Sequence, residues 1–284
     1  MSTVIDLDLG KRLAGKVAVV TGASRGIGKG IALALGAQGC TVFVTGRTTG
    51  DGERTIDTAA AEIDAAGGKG IAIRCDHGDD AEIAALFETV ASKTDHIDFL
   101  VNNVYKIPSP PAWGGGFWDH PIQVWDDQVG IGLRAHYVAS WHAAALLFAT
   151  PQGAAIMNVS SPGGQAYHFS SSYGAGKAGL DRLTADMAIE LEPKGVAAVT
   201  LYPGSVATEF IQDAAASQDI DLSKSQSTAF VGACGTALLA APDLLARSGS
   251  IQWVEDLADE YAINEADGTR PPRYAQRPGA SAAG

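Results

Sequence analysis

Seven short runs rich in valine, isoleucine and alanine punctuate the chain: Lys16–Thr21, Thr41–Gly46, Lys69–Arg74, Ile97–Asn102, Ala154–Ser160, Val196–Tyr202 and Ser250–Val254. None alternates apolar with polar residues, as expected of strands buried on both faces of a parallel sheet. Parallel neighbours need crossovers, and helix-length segments separate the runs: Gly26–Gln38, Arg54–Ala66, Asp79–Lys93, Ile122–Ala149, Ser172–Glu192 and Thr228–Ala240. Right-handed β–α–β crossovers place helices on both faces of one twisted sheet. The expected fold is a single doubly wound α/β domain over residues 13–256, of about seven strands. An arm, 1–12, precedes it and a C-terminal extension, 257–284, follows. The end of that extension, Gly268–Gly284, is dominated by Pro, Arg, Ala and Gly and reads as a mobile tail. Tyr105–Pro121 is too rich in Pro and Gly for helix or strand, and a loop of that length suits a lid or binding wall.

Charge narrows the partners. The 284 residues hold 20 Lys and Arg against 32 Asp and Glu, a net charge of −12. Such a balance opposes nucleic acid and anionic membranes as principal partners. The cysteines Cys40, Cys75 and Cys234 are odd in number and far apart, which fits a reducing compartment. Asp6 and Asp8 interrupt what a signal peptide would need as an apolar core, and no apolar run approaches the ~20 residues of a membrane span. A soluble, cytoplasmic protein is expected. His120, His136, His142 and His168 show no metal-ligand spacing, so no metal site is expected.

The first run ends in Thr21-Gly-Ala-Ser-Arg-Gly-Ile-Gly28 and passes directly into a helix. Glycines there permit a tight turn and let backbone N–H groups approach a pyrophosphate at the helix N-terminus. A tight turn without ligand is the plainer alternative. The second run closes on Val44-Thr45-Gly46-Arg47 and lacks the carboxylate that usually binds an unphosphorylated ribose 2′-hydroxyl. Arg47 and Arg25 instead suit a 2′-phosphate, so the expected cofactor is NADP(H). Tyr173 and Lys177, four apart in a helical pattern, share one helix face. A tyrosine needs help to exchange protons near neutrality, and a neighbouring ammonium favours the phenolate.

The order of these motifs, with Asp76, Asn102-Asn103, Ser160-Ser161 and Pro203-Gly204 at their places, resembles the short-chain dehydrogenase/reductase family, over roughly residues 13–256. The segments Trp125–Asp127, Gly132–Tyr137 and Ser160–Gly163 further resemble the "dehydrogenase/reductase family member 1"-like group. The resemblance implies a Rossmann fold and hydride transfer between nicotinamide and a carbonyl or alcohol carbon. It implies Tyr173 as general acid/base, Lys177 lowering its pKa and binding the nicotinamide ribose, and a serine orienting the carbonyl. Spacing to Tyr173 selects Ser160; the strand's S-S-x-G end selects Ser161, which is preferred because strand ends set side-chain direction. Gly22, Ser24, Arg25, Gly26, Ile27, Gly28 and Arg47 would hold the phosphates and ribose. Asp76 would meet the adenine and Asn103 the adenine-side ribose. Pro203, Gly204, Val206 and Thr208 would meet the carboxamide. A homo-oligomer, dimer or tetramer, through Ile122–Ala149 and Ser172–Glu192 is also implied.

Three features depart from the family pattern. Val104-Tyr105 replaces Ala-Gly, Gly132 replaces an asparagine, and the chain runs on past its last strand. Tyr105, Trp118, His168 and Phe169, with Trp113, Phe117 and Tyr167, are expected to wall a pocket for a bulky apolar carbonyl or alcohol. The rivals are an NAD-linked alcohol dehydrogenase and a nucleotide-binding sensor with little turnover.

Overall fold

The computed structural model describes residues 4–10, 12–151, 153–218 and 221–274. Its strands are β1 (Val17–Val20), β2 (Thr41–Gly46), β3 (Lys69–Arg74), β4 (Phe99–Asn102), β5 (Ala155–Val159), β6 (Ala197–Tyr202) and β7 (Ile251–Trp253). They form one sheet in the order β3-β2-β1-β4-β5-β6-β7. Every pairing is parallel.

Successive strand residues face opposite layers. Ala18, Val20, Val42, Val44, Val101 and Met157 join one core, with α1 (Gly26–Ala37), α2 (Ile56–Ala65) and α8 (Thr228–Leu239) over it. Val17, Val19, Phe43, Leu100 and Ile156 join the other, beneath α3 (Asp80–Ala91), α5 (Ala135–Phe148) and α6 (Ser171–Leu191). Because both faces are covered, apolar side chains suit every strand position, which explains the uninterrupted runs. α1 and α8 approach through glycine: a Cβ on Gly30 would lie 2.1 Å from the Thr228 carbonyl oxygen.

Side-chain caps start α2, α3, α6 and α8. Thr55 accepts from Thr58 N–H, Asp79 from Ala81 N–H, Ser170 from Tyr173 N–H and Ser227 from Phe230 N–H. The segment expected as one helix over Ile122–Ala149 is interrupted. A short α4 (Gln123–Trp125) passes into a π-helical stretch, Asp126–Arg134, before α5. Gly130 and Gly132 lie in that stretch, where low helix propensity weakens the ordinary ladder, and π turns often mark functional positions. Two further helices, α7 (Glu209–Gln218) and α9 (Val254–Glu260), were not anticipated.

The arm packs onto the body, with Leu9 buried in the core and Val4, Ile5 and Leu7 against it. Part of the expected tail is anchored rather than free. Arg270 pairs with Asp259, and Arg273 with Asp256 and Asp259. Residues 275–284 lie outside the described residues. Among the described residues, no helix is long and apolar enough to cross a membrane.

Candidate active site

The strand order reverses between β1 and β4, and the crevice outside their carboxyl ends is where open α/β sheets bind ligands. The Thr21–Gly28 turn fills one side of it. Gly22 and Gly26 have φ of +66° and +62°, a region side-chain-bearing residues rarely enter. A Cβ at Gly22 would lie 2.8 Å from Val104 Cα, and one at Gly28 2.3 Å from Asn103 Nδ2. The turn therefore stacks directly on the chain leaving β4. Asn103 braces it, donating from Nδ2 to the carbonyls of Thr21 and Gly22, each at 3.0 Å.

No side chain of its own turn caps α1. Gly26 N–H instead donates to Glu209 Oε2 of α7 at 2.8 Å. A carboxylate on that amide shows that the helix end suits an anionic group. Arg54 pairs with Asp213 at 2.6 Å and ties α7 to the entry of α2. Thr208 adjoins the same turn, its Cγ2 3.6 Å from where a Gly26 Cβ would stand.

At the end of β2, a Gly46 Cβ would come within 3.7 Å of Ser24 Oγ, so Arg47 emerges beside the glycine turn. Arg47 is exposed and only loosely paired, 3.9 Å from Asp76. Arg25 is exposed on the turn itself. Asp76 accepts from Gly78 N–H at 3.0 Å, an arrangement that leaves its other oxygen toward Arg47. This donor set fits a nicotinamide dinucleotide: a helix end whose amide accepts an anion, with the two exposed guanidinium groups of Arg25 and Arg47 beside it.

Across the crevice, Tyr173 stands half-buried in the first turn of α6, with Ser161 beside its hydroxyl. Ser161 also accepts from Gly163 N–H at 3.1 Å. Ser160 turns the other way, into a buried group with Asp181 and Tyr202, and donates to the Lys177 carbonyl at 3.4 Å. Of the two serines, Ser161 is thus the one beside Tyr173. Burial pushes the Tyr173 phenol up to about 12, Ser161 pulling the other way and Tyr274 and Asp181 adding to the rise. Burial dominates that shift, and the Lys177 ammonium lies over the ring, 5.9 Å from its centroid. Burial pushes Lys177 down to about 8, with Asp181 opposing. Its Nζ donates to the Val159 carbonyl at 3.1 Å.

Buried polar groups hold the floor. Asn102 Nδ2 donates to Asn158 Oδ1 and to Ser140, each at 2.9 Å, and Asn158 Nδ2 donates to Thr184 at 2.8 Å. His136 Nε2 meets the Val104 carbonyl at 2.8 Å. Burial holds that imidazole down to about 3, so it is neutral near pH 7 and acts there as a donor.

Aromatic rings surround Tyr173: Phe169 at 5.3 Å between centroids, Tyr105 at 5.9 Å and His168 at 6.4 Å. Phe169 adopts φ of +58°, a conformation costly for a bulky residue and common at ligand-clamping positions. Trp118, expected in this wall, is not part of it. It stands 75% exposed, edge-on to Phe117, because three consecutive glycines carry that end of the loop outward. Trp113 takes the place instead, 6.1 Å from Phe169 and 5.8 Å from Phe210. Tyr274 completes the side, its hydroxyl 3.4 Å from the His168 ring nitrogens and its N–H donating to Glu255.

Several contributors had no legible signal. Phe210 and Tyr274 lie far from any motif. Gln128 was one residue in a helical pattern, yet its Oε1 accepts from Ser170 and Ser172. Gly163 did carry a signal, the glycine of Ser160-Ser161-Pro162-Gly163: a Cβ there would lie 2.5 Å from Tyr173 Cε1. A cleft of about 510 Å³ sits at the opposite, amino-terminal edge of the sheet between Val17, Thr41, Lys69 and Lys93. Among the described residues, no cluster of His, Cys, Asp and Glu is arranged to hold a metal.

Comparison with known proteins agrees with this geometry. A family model described as short chain dehydrogenase matches residues 16–219. "Dehydrogenase/reductase SDR family member 1" of Mus musculus is 39% identical over 89% of this chain and 84% of its own length. A short chain dehydrogenase from Mycobacterium thermoresistibile superposes with a TM-score of 0.78 at 26% identity, covering 90% of this chain and 91% of the other. A short chain dehydrogenase from Burkholderia cenocepacia J2315, solved in complex with NADP, gives 0.72 at 30% identity, over 85% and 97%.

Proposed function

The chain belongs to the short-chain dehydrogenase/reductase family of oxidoreductases, and we propose that it is an NADP(H)-dependent enzyme reducing a bulky, largely apolar carbonyl compound. The observation that carries this reading is the Tyr173 hydroxyl, beside Ser161 and one helical turn from buried Lys177, across from an anion-accepting glycine turn.

Bound NADPH would supply the hydride. Tyr173, held up at about 12, keeps its proton at neutral pH and is suited to give it to a carbonyl oxygen as negative charge develops there. Ser161 donates to that same oxygen and orients it. Lys177 stabilises the phenolate left behind and faces the nicotinamide ribose. Gly22, Ser24, Gly26, Ile27 and Gly28 receive the pyrophosphate, and Arg25 and Arg47 the 2′-phosphate. Asp76 and Asn103 border the adenosine. The backbone of Pro203, Gly204 and Val206, with Thr208, borders the carboxamide. Phe169, Trp113 and Tyr105 offer apolar surface to the substrate, and such walls recognise bulk more than polar detail.

The outer faces of α5 and α6 expose Trp141 and Ile189, at 66% and 71%, which suits pairing with a second copy of the chain. Sedimentation of wild type and Trp141→Glu tests that pairing; a monomeric wild type rejects it. The activity itself is tested by following NADPH consumption against bulky ketones, aldehydes and quinones, with Tyr173→Phe beside wild type. Loss of about a thousandfold in the variant with NADPH binding retained is expected for a general acid. Equal turnover in the two proteins would remove the proposed chemistry.

A further inference from the structure

Two departures from the family pattern, far apart in sequence, meet beside Lys177. A Cβ on Gly132 would stand 3.0 Å and 3.1 Å from Tyr105 Cδ2 and Cε2, closer than side chains normally pack. The absence of a side chain at position 132 is what seats the Tyr105 ring. That ring lies 5.2 Å from Lys177 Nζ and edge-on to Tyr173. Gln128, on the same π-helical stretch as Gly132, accepts from Ser170, the cap of α6, and from Ser172. The Tyr105 ring is thereby packed between Gly132 beneath it and Tyr173 and Lys177 of α6.

The ammonium needs such a neighbour. Lys177 is buried, and of its three N–H groups one donates to Val159. The other groups that face it are Asp181 and Tyr173 on its own helix and neutral His136 from α5. A desolvated ammonium over an aromatic face is stabilised by the ring's negative π surface. We propose that Tyr105, seated on Gly132, is a positioning residue that holds the Lys177 ammonium between the Val159 carbonyl and Tyr173. The chain thus uses an aromatic brace where an asparagine side chain would otherwise project. The inference deepens the reductase reading and rests on it for its kinetic consequence, but the brace itself is a property of the cofactor-free protein.

Two measurements separate the brace from the activity. The first is competitive acylation of lysines with acetic anhydride, read by mass spectrometry on the cofactor-free protein. Lys177 should label several-fold faster in Tyr105→Leu and in Gly132→Ala than in wild type, and Tyr105→Phe, which keeps the ring, should stay close to wild type. Gly132→Ala should add little in a Tyr105→Leu background, because the ring it displaces is already gone. The second is steady-state reduction. Tyr105→Leu and Gly132→Ala should lower kcat about tenfold, with Tyr105→Phe restoring most of the rate. If Tyr105→Leu does not fold, Gly132→Ala carries both measurements. Faster labelling without any wild-type turnover would reject the reductase reading and leave the brace standing. Equal Lys177 labelling across wild type, Tyr105→Leu and Gly132→Ala would overturn the brace, whatever the activity.

Discussion

The two sides of the crevice are built on different principles. On the glycine-turn side the backbone makes the surface: the Gly26 amide at the start of α1, carbonyls of Thr21 and Gly22 held by Asn103, and glycines that keep side chains out. On the Tyr173 side, the surface is made by five side chains from four segments: Tyr105 and Trp113 of one loop, with Phe169, Phe210 and Tyr274. A backbone-built surface tolerates little change and recognises what every dinucleotide shares. A surface built from side chains can be altered one residue at a time, so differences in substrate choice are expected to arise there.

A buried neutral histidine supports each side, and acid should strain both. His77 meets Thr45 at 2.7 Å beneath the nucleotide side and is held down to about 4 by burial; His136 supports the Val104 carbonyl. Unfolding restores each to an ordinary value near ~6.5. Below that pH the unfolded chain binds more protons, so the stability these groups allow is complete above about 6.5 and declines as pH falls toward their folded values. Urea unfolding across this range should show a loss of about 2 kcal/mol per histidine by pH 5. His77→Gln and His136→Gln should each flatten part of the slope, and a curve unaffected by either substitution would contradict the assignment.

The next effect separates the two sides. Gly163→Ala drives a methyl into the Tyr173 ring, 2.5 Å away, and displacement of a catalytic group by a fraction of an ångström should cost about a hundredfold in kcat/KM. Cofactor affinity, read by fluorescence titration, should stay near wild type; a parallel loss of both would show the two sides to be one mechanical unit. Arg47→Asp acts on the other side alone. Losing a charge-assisted contact worth roughly 1.5–3 kcal/mol should move the NADPH-to-NADH preference by about tenfold or more, with Tyr173 chemistry intact. The smallest effect belongs to the C-terminal segment. Ending the chain at Asp267 removes Tyr274 and the Arg270 and Arg273 pairs, and should raise KM for bulky carbonyls about threefold while hardly moving Tm, since exposed ion pairs contribute about 0–1 kcal/mol each.

The same contrast explains what could be read beforehand. All seven strands were legible because burial on both faces leaves a continuous apolar run. The glycine turn was legible because left-handed φ at Gly22 and Gly26 demands one residue type at fixed spacing. Tyr173 and Lys177 were legible because one helix carries both. Trp118 and Tyr274 were not, because which of several aromatic residues reaches a pocket depends on how loops are directed, and neither propensity nor periodicity encodes that. The π-helical break at Asp126–Arg134 left a trace in Gly130 and Gly132, but its consequence, a seat for Tyr105, appears only when the two segments are brought together.

The central claim is hydride transfer from nicotinamide to a carbonyl carbon with Tyr173 supplying the proton. It is tested most directly with NADPH carrying deuterium at the transferable C4 position, incubated with a reducible bulky ketone, the alcohol product being analysed by mass spectrometry. One deuterium on the carbinol carbon, formed by wild type and absent with Tyr173→Phe, is the predicted result. Alcohol formed without deuterium, or formed equally by Tyr173→Phe, would contradict it.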